Sequence, residues 1–206
     1  MATAKKVAVN SIVEPGRQEV ILDAALRLFT AKGYFNASVH DIRREADVSI
    51  GSIYHHFKNK EGVARALYER LVEQVNQVVE EAVARHATTH DRCREVMARF
   101  FELTEASPAT MQYVLYNRYQ EFMPDAQSIC LRPFQIMRQA VDEGIAAGEI
   151  RSMDPVVAVA AIFGGALRII GLRLDGILPI PVPEYLDEVW ACAWRSVAPP
   201  GDQRRR

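Results

Sequence analysis

The sequence predicts an all-α protein, and two observations support that prediction. Almost every segment of the 206 residues places apolar side chains three or four positions apart, which is the period of an amphipathic helix. The 10 prolines are sparse and mark most boundaries between these segments, and no run shows the alternation typical of a strand. We therefore expect about nine helices, arranged as an N-terminal three-helix helix-turn-helix unit and a larger C-terminal helical bundle.

Composition excludes several protein classes. An apolar fraction of 49% with 25% charged residues is ordinary for a globular chain and excludes a disordered or collagen-like one. The widely spaced Cys93, Cys130 and Cys192 form neither a disulfide framework nor a CxxC site, so a reducing cytoplasm is expected. The longest charge-free apolar stretch, residues 155–167, is too short to span a bilayer, and no membrane partner is expected.

Local signals define the first four helices. Helix one is expected to begin near Arg17 and to end at Gly33. Ser38, with Asp41 three residues later, resembles a capping box at the start of helix two. Asn59 is a candidate N-cap for a long fourth helix that reaches about residue 85. Five more helices are expected at about 91–105, 108–123, 126–147, 154–174 and 183–197.

These elements suggest four segments with different roles. The predicted division is 1–14 as a disordered arm, 15–62 as the helix-turn-helix unit, 63–198 as the bundle and 199–206 as a solvated tail.

Helices two and three carry the pattern that points to function. With Ile53 and Phe57 turned inward, helix three shows solvent only small or hydrogen-bonding residues and no carboxylate. Such a face suits close approach to base edges and phosphates, although an ordinary helical hairpin with a solvated polar face has the same pattern. Lys60 lies in the first turn of helix four, where the dipole disfavours a cation unless a phosphate binds there; a solvated lysine is the alternative.

From Val20 to Leu67 the sequence resembles the DNA-binding domain of the TetR/AcrR family of transcriptional regulators. The resemblance rests on LFxxKGY from Leu28, SVxDI from Ser38 and VSxGSIYxHFxxKE from Val48. Asp47 replaces the usual turn glycine, and aspartate tolerates a left-handed backbone. The resemblance implies a homodimer on a palindromic double-stranded DNA operator, with these DNA contacts: Arg17, Ser38, His40, Ser49, Gly51, Ser52, Tyr54, His55, His56 and Lys60.

The bundle holds a candidate effector site. Tyr113, Tyr116, Asn117 and Gln120 share one face of the helix expected at 108–123, and a bound molecule would satisfy their polar groups. A self-satisfied core or an exposed face is the alternative, since Leu115, Tyr119 and Phe122 form a second stripe. Because regulators of this family sense small molecules, we expect a largely apolar or aromatic effector, contacted by Phe100, Phe101, Tyr113, Tyr116, Asn117, Gln120, Phe134 and Arg168.

The helix expected at 154–174 is apolar nearly all round, which predicts burial on both sides. Together with helix 183–197 it is expected to form a four-helix homodimer interface, unless it is simply an internal core helix. Arg168 and Arg173 either anchor an acidic ligand group or pair with a carboxylate such as Asp175.

Two other chemistries find little support. His86, His90 and Cys93 have spacing that suits zinc but lack a nearby fourth ligand, so the histidines are interpreted as solvated and no metal or cofactor is expected. No hydrolase, nucleotide-binding or metalloprotease motif occurs, so we do not expect an enzyme.

The expected function is therefore a cytoplasmic, ligand-responsive, dimeric repressor. An activator of the same fold, an enzyme and an interaction module are the alternatives. The net charge of −1 does not oppose DNA binding, because residues 1–62 carry nine Lys/Arg against seven acids and are locally basic.

Overall fold

In a computed structural model, the structure describes residues 16–116 and 126–201 of the chain. These residues form nine α-helices and a short 3-10 helix, with no strand among them, which confirms the predicted all-α class. The elements are α1 (Arg17–Lys32), α2 (Val39–Ala46), α3 (Ile50–Phe57), α4 (Lys60–Arg85), α5 (Thr89–Ala106), α6 (Pro108–Tyr116), α7 (Ala126–Ala146), α8 (Pro155–Leu174), the 3-10 helix Val182–Tyr185 and α9 (Leu186–Val197). The predicted arm, most of the tail and the continuation of α6 toward residue 123 lie outside the described residues.

Side-chain caps set the helix boundaries near the N-terminus. Ser38 and Asp41 form the predicted capping box, in which the Ser38 hydroxyl oxygen accepts from the Asp41 amide at 3.1 Å. Asp47 ends α2 with φ of 50° and ψ of 49°, so aspartate does adopt the left-handed turn conformation here. Asn59 caps α4 by accepting from the Gly62 amide at 2.7 Å. These caps fix both ends of α2 and the start of α4, and so delimit the segment in which α3 lies.

Two hydrophobic cores divide the molecule, and α4 contributes to both. Its first half, including Val63, Leu67 and Val72, packs with α1, α2 and α3 in one core. Its second half, from Val75 onward, packs with the bundle in the other core. Each fully buried Leu or Val stabilises the fold by about 1.5–3 kcal/mol. The packing boundary therefore falls within α4, beyond the division at residue 62 that the sequence predicts.

Two polar clusters join the outer helices of the bundle. Arg173 of α8 donates to both Glu105 carboxylate oxygens at 2.9 Å, and Glu105 also accepts from the Val182 amide. Arg173 thus pairs with Glu105 rather than with Asp175. His90 packs edge-on against Trp190 and Trp194, and its Nε2 accepts from the Trp190 indole at 3.0 Å. The interpretation of His90 as solvated is wrong, because α9 covers it.

Helix α8 continues beyond the charge-free stretch 155–167 and is apolar over most of its 20 residues. By length and composition alone this helix is long and apolar enough to cross a membrane, with a mean hydropathy of 2.0. One side packs on α7, α9 and α5, and 39% of its apolar window is buried. Among residues 16–116 and 126–201, the predicted burial of α8 is therefore met on one side, and its other side is exposed.

The Glu105–Arg173 cluster leads to a prediction about pH. Hydrogen bonds from Arg173 and Val182 hold the pKa of Glu105 below its ordinary value. A lowered folded-state pKa stabilises the fold above the unfolded pKa of about 4.3, and that contribution is lost as the pH falls through the folded value. We expect Glu105→Gln to lower the free energy of unfolding at pH 7, with a difference from wild type that shrinks below pH 4.5. Urea denaturation at several pH values measures this.

The matched control is Glu102→Gln, one turn earlier on α5, which removes an exposed ion pair with Arg99. Exposed pairs contribute little, so this variant should match wild type throughout. A Glu105→Gln difference that is equal at pH 7 and pH 4 contradicts the assignment.

Candidate nucleic-acid interface and effector region

The outer face of α3 is a polar surface that the other described parts of the chain leave uncovered. Ile53 and Phe57 are buried in the N-terminal core, as predicted, and fix the rotation of the helix. Gly51, Tyr54, His55 and His56 are consequently exposed and Ser52 is half-buried. No carboxylate lies on this helix, so nothing on it repels a phosphate or a base carbonyl.

A cleft beside this helix brings three of the predicted DNA contacts together. Arg17 from the start of α1 lines it with Ser49 and Ser52, in a volume of about 210 Å³. The walls also include Asp47, a carboxylate that the sequence argument placed in the turn but not in the site. An arginine and two hydroxyls at one opening can hold a phosphate, with Asp47 limiting where it binds.

Two predicted contacts already have structural roles. The Ser38 hydroxyl donates to the Asp41 carboxylate at 2.7 Å while its oxygen accepts the Asp41 amide. The hydroxyl and the backbone amide of Ser38, both donating to the Asp41 carboxylate, lower the pKa of Asp41. The bonds between the two residues fix the first turn of α2, beside the exposed His40. The Ser49 hydroxyl oxygen caps α3 by accepting from the Ser52 amide at 3.1 Å. Both serines therefore orient the helices that carry the other contacts.

Lys60 is held by the loop between α1 and α2. Its ammonium donates to the carbonyl oxygens of Tyr34 at 3.1 Å and Ala37 at 3.0 Å, and it lies 4.2 Å from the centre of the Tyr34 ring. Partial burial lowers the pKa of Lys60. From the sequence, a lysine at this helix start indicated either a bound phosphate or a solvated side chain. The structure supplies another explanation, since two carbonyls and an aromatic face balance the charge.

Sequence reasoning missed a second cleft on the opposite edge of α3. It is lined by Gln18, Lys58 and Arg65 together with His56, and has a volume of about 210 Å³. Lys58 ends α3 with a positive φ of 65°, which turns the chain sharply into α4. The signal was present, because Lys58 occupies a variable position within the recognised motif and Arg65 lies one turn beyond Glu61 on α4.

The structure corrects the position expected for Tyr113. The side chain is fully buried in the N-terminal core rather than in the bundle, and its ring stacks on Phe29 of α1 at 6.2 Å between ring centres. Burial raises its pKa. The helical pattern placed Tyr113 and Tyr116 on one face, but the end of α6 lies between the two cores, so these tyrosines contact different units.

The remaining effector candidates are distributed over the bundle. Tyr116 is 53% exposed, and its hydroxyl lies so close to Gly171 of α8 that a side chain at that glycine would collide with it. Phe100 and Phe101 are buried in the bundle core, and Phe134 is partly buried against it. Asn117 and Gln120 lie outside the described residues.

Arg168 also requires correction. It is exposed and lines a groove between α8 and α9, on the outer face of the bundle. The apolar pattern of α8 gave no means of deciding which side this arginine faces. It is therefore not grouped with the aromatic effector candidates.

Metal binding finds no support in the part of the chain that the structure describes. It contains no group of three or more His, Cys, Asp or Glu side chains placed to hold an ion. Burial raises the pKa of the Cys93 thiol to about 12, which disfavours the thiolate that zinc requires. Both ring nitrogens of His90 already have hydrogen-bond partners, Nε2 with the Trp190 indole and Nδ1 with the Asp91 carboxylate.

Comparison with known proteins agrees with the geometry of the N-terminal unit. Residues 21–67 match the model for bacterial regulatory proteins of the tetR family. The fatty acid metabolism regulator protein of Bacillus subtilis is 29% identical over 148 residues, which cover 70% of this chain and 76% of that protein. The transcriptional regulator BetI of Brucella melitensis is 27% identical over 99 residues, about half of each chain.

Solved structures share the whole fold. A TetR family regulator from Marinobacter aquaeolei superposes with a TM-score of 0.77 at 20% identity, covering 88% of this chain and 95% of that one. FadR from Bacillus subtilis, solved in complex with stearoyl-CoA, superposes with a TM-score of 0.76 at 24% identity, covering 84% and 96%.

A helix-turn-helix unit with an exposed, carboxylate-free third helix, joined to a helical bundle, defines a DNA-binding regulator. Residues 21–67 match the tetR family of bacterial regulatory proteins, and over most of its length the chain is similar to transcriptional regulators of that family. This confirms the sequence-based prediction of a DNA-binding transcriptional regulator.

The contacts of Lys60 lead to a prediction about stability. Lys60→Met keeps an unbranched side chain but removes both hydrogen bonds to the α1–α2 loop. We expect the free energy of unfolding to fall by about 1–3 kcal/mol, since two carbonyls lose their donor. Urea denaturation measures the change. Lys58→Met, which alters an exposed lysine two residues earlier, is the control, and equal midpoints for the two variants would show that the loop contacts contribute nothing.

Proposed function

We propose that this protein is a homodimeric repressor that binds a palindromic operator through α3 and leaves it when a long-chain acyl-CoA binds the bundle. The observation that supports the DNA-binding part most directly is the exposed polar face of α3, held at a fixed angle by Ile53 and Phe57. Regulation rather than catalysis fits the relatives, which are transcriptional regulators, and implies action in the cytoplasm. Residues 15–62 would form the DNA-reading part of a reading head whose core is completed by the first half of α4 and by Tyr113, and the rest of residues 63–198 would form the sensing and dimerisation unit.

The proposed DNA contacts fall into two groups. Gly51, Ser52 and His55 face the major groove and read base edges, since small and hydrogen-bonding side chains permit close approach. The others hold phosphates or position these residues, and comprise Arg17, Ser38, His40, Ser49, Tyr54, His56 and Lys60. Lys58 joins the phosphate group on the evidence of the second cleft.

The effector class rests on two relatives. The Bacillus subtilis fatty acid regulator and the FadR structure that contains stearoyl-CoA both point to fatty-acyl chemistry. In this chain Phe100 and Phe134 of the bundle core and the exposed Tyr116 are proposed as apolar contacts of an acyl chain. Asn117 and Gln120, which follow Tyr116, are proposed as polar contacts of the same ligand.

Helix α6 offers a physical route from effector to DNA. Tyr113 belongs to the reading-head core through Phe29, and Tyr116, one turn later, lies against Gly171 of α8. A ligand that displaces Tyr116 moves a short, nine-residue helix whose other tyrosine is packed on α1. In a dimer the recognition helices must lie about 34–36 Å apart, so a tilt of α1 and α4 changes their fit to successive major grooves.

Base recognition is tested by substitutions on α3. We expect Ser52→Ala and His55→Ala to change which duplex is selected from a random library, because each base contact contributes about 1–3 kcal/mol of discrimination. Lys58→Met should instead weaken binding to all sequences and reduce the salt dependence by about one phosphate contact.

The control for His55→Ala is His86→Ala, which removes a histidine at the far end of α4. It should select the wild-type sequence with wild-type affinity. Selection of the same sequence by wild type, Ser52→Ala and His55→Ala would contradict the base-contact assignment.

Effector action is tested with the operator that this selection yields. We expect stearoyl-CoA to weaken operator binding about 5- to 150-fold, the range of typical coupling energies, and the operator to weaken stearoyl-CoA binding by the same factor. Calorimetric titration of the protein with and without operator measures both. Octanoyl-CoA controls for the headgroup. Equal stearoyl-CoA affinity of the free and the operator-bound protein would contradict the mechanism. If the protein binds the operator but does not respond to stearoyl-CoA, the assignment of the DNA contacts still stands.

A further inference from the structure

The outer face of α8 is apolar, closely approachable and left uncovered by the residues that the structure describes. Val156 and Val157 are 47% and 54% exposed, and Leu167 is exposed one to two turns before the end of the helix. Gly164 and Gly165 lie between them on the same exposed side, with open space where a side chain would project. Two adjacent glycines allow the backbone of another helix to approach closely, so this surface suits helix packing.

A groove of about 450 Å³ continues this surface between α8 and α9. Its walls are mostly apolar and include Ile169, Val189 and the ring of Tyr185. Two charged side chains of opposite sign enter it, Arg168 from α8 and Glu188 from α9.

Arg168 and Glu188 differ from the charged residues close to them in sequence, because those residues form ion pairs. Arg173, one turn beyond Arg168, is paired with Glu105, and Asp187, beside Glu188, is paired with Arg94 at 2.6 Å. In the part of the chain that the structure describes, neither Arg168 nor Glu188 has an opposite charge within 4.0 Å or a side-chain hydrogen bond. Covering the groove with an apolar surface would bury both charges without partners from the occupant, whereas an occupant that brings one charge of each sign would pair both.

A second copy of this chain is such an occupant. A two-fold axis brings the same patch against itself, so a residue that meets another across the axis is met by it in return. We infer that Arg168 of each subunit pairs with residue 188 of the other, and that this reciprocal pair selects another copy of the same chain as partner. The inference rests on the proposed homodimer and adds the residues that determine its specificity.

The pair contributes specificity more than affinity. Removing two charges from water costs about as much as their attraction returns, whereas like charges in the same places are strongly unfavourable. The apolar face of α8 then supplies the driving force for association. Related regulators with other charges at these positions would be excluded from mixed dimers.

Charge exchange tests the inference. In Arg168→Glu the dimer would place Glu against Glu188 twice, and in Glu188→Arg it would place Arg against Arg168 twice. We expect each variant to self-associate about a hundredfold more weakly than wild type in sedimentation velocity runs. An equimolar mixture of the two should form a heterodimer, because both contacts are then restored, and the double variant should form a homodimer.

The mixture also controls for folding, since a misfolded variant would not be rescued by its counterpart. Arg138→Glu, an exposed charge reversal on α7, should dimerise like wild type. A monomeric wild type would refute the proposed homodimer itself. A dimeric wild type whose single variants dimerise equally well would overturn the Arg168–Glu188 pairing and leave the proposed function standing. The same conclusion would follow if the single variants were monomeric and mixing them did not restore a dimer.

Discussion

The continuous apolar face of α4 is the constraint on which the rest of the structure depends. Over 26 residues, about 39 Å, it is packed first into the helix-turn-helix core and then into the bundle core. Because both cores are close-packed, neither can move against α4 without losing contacts. The recognition helix therefore has a defined position relative to the sensing unit, and a change in the bundle reaches it through packed side chains.

Several polar residues of the reading head hold its helices in position, and some of the same residues are proposed to contact DNA. Ser38 and Ser49 cap α2 and α3, and Lys60 ties the start of α4 to the α1–α2 loop. Capping bonds of this kind are worth about 0.5–2 kcal/mol each. A rigid arrangement is useful for a surface that reads bases, because little conformational freedom is then lost when DNA binds.

The sequence predicts the helices well because their periodicity and caps are local signals, and Ser38, Asp47 and Asn59 all behave as expected. It fails where the answer depends on which helices meet. Tyr113 and Tyr116 share a helical face, yet one enters the reading-head core and the other faces α8. The orientation of Arg168 and the covering of His90 by two tryptophans likewise follow from tertiary packing, which residue spacing does not encode.

The position of Tyr113 also limits how this molecule can be divided. A fragment ending at residue 62 would lack the α4 residues that complete the core around α1, and one ending with α4 would still lack the ring that covers Phe29. The reading head is therefore not a detachable module, although its motif is contiguous in sequence. A chimera that joins this head to another sensing bundle must carry α6 along with α1–α4, or find in the new bundle an aromatic side chain that fills the same space.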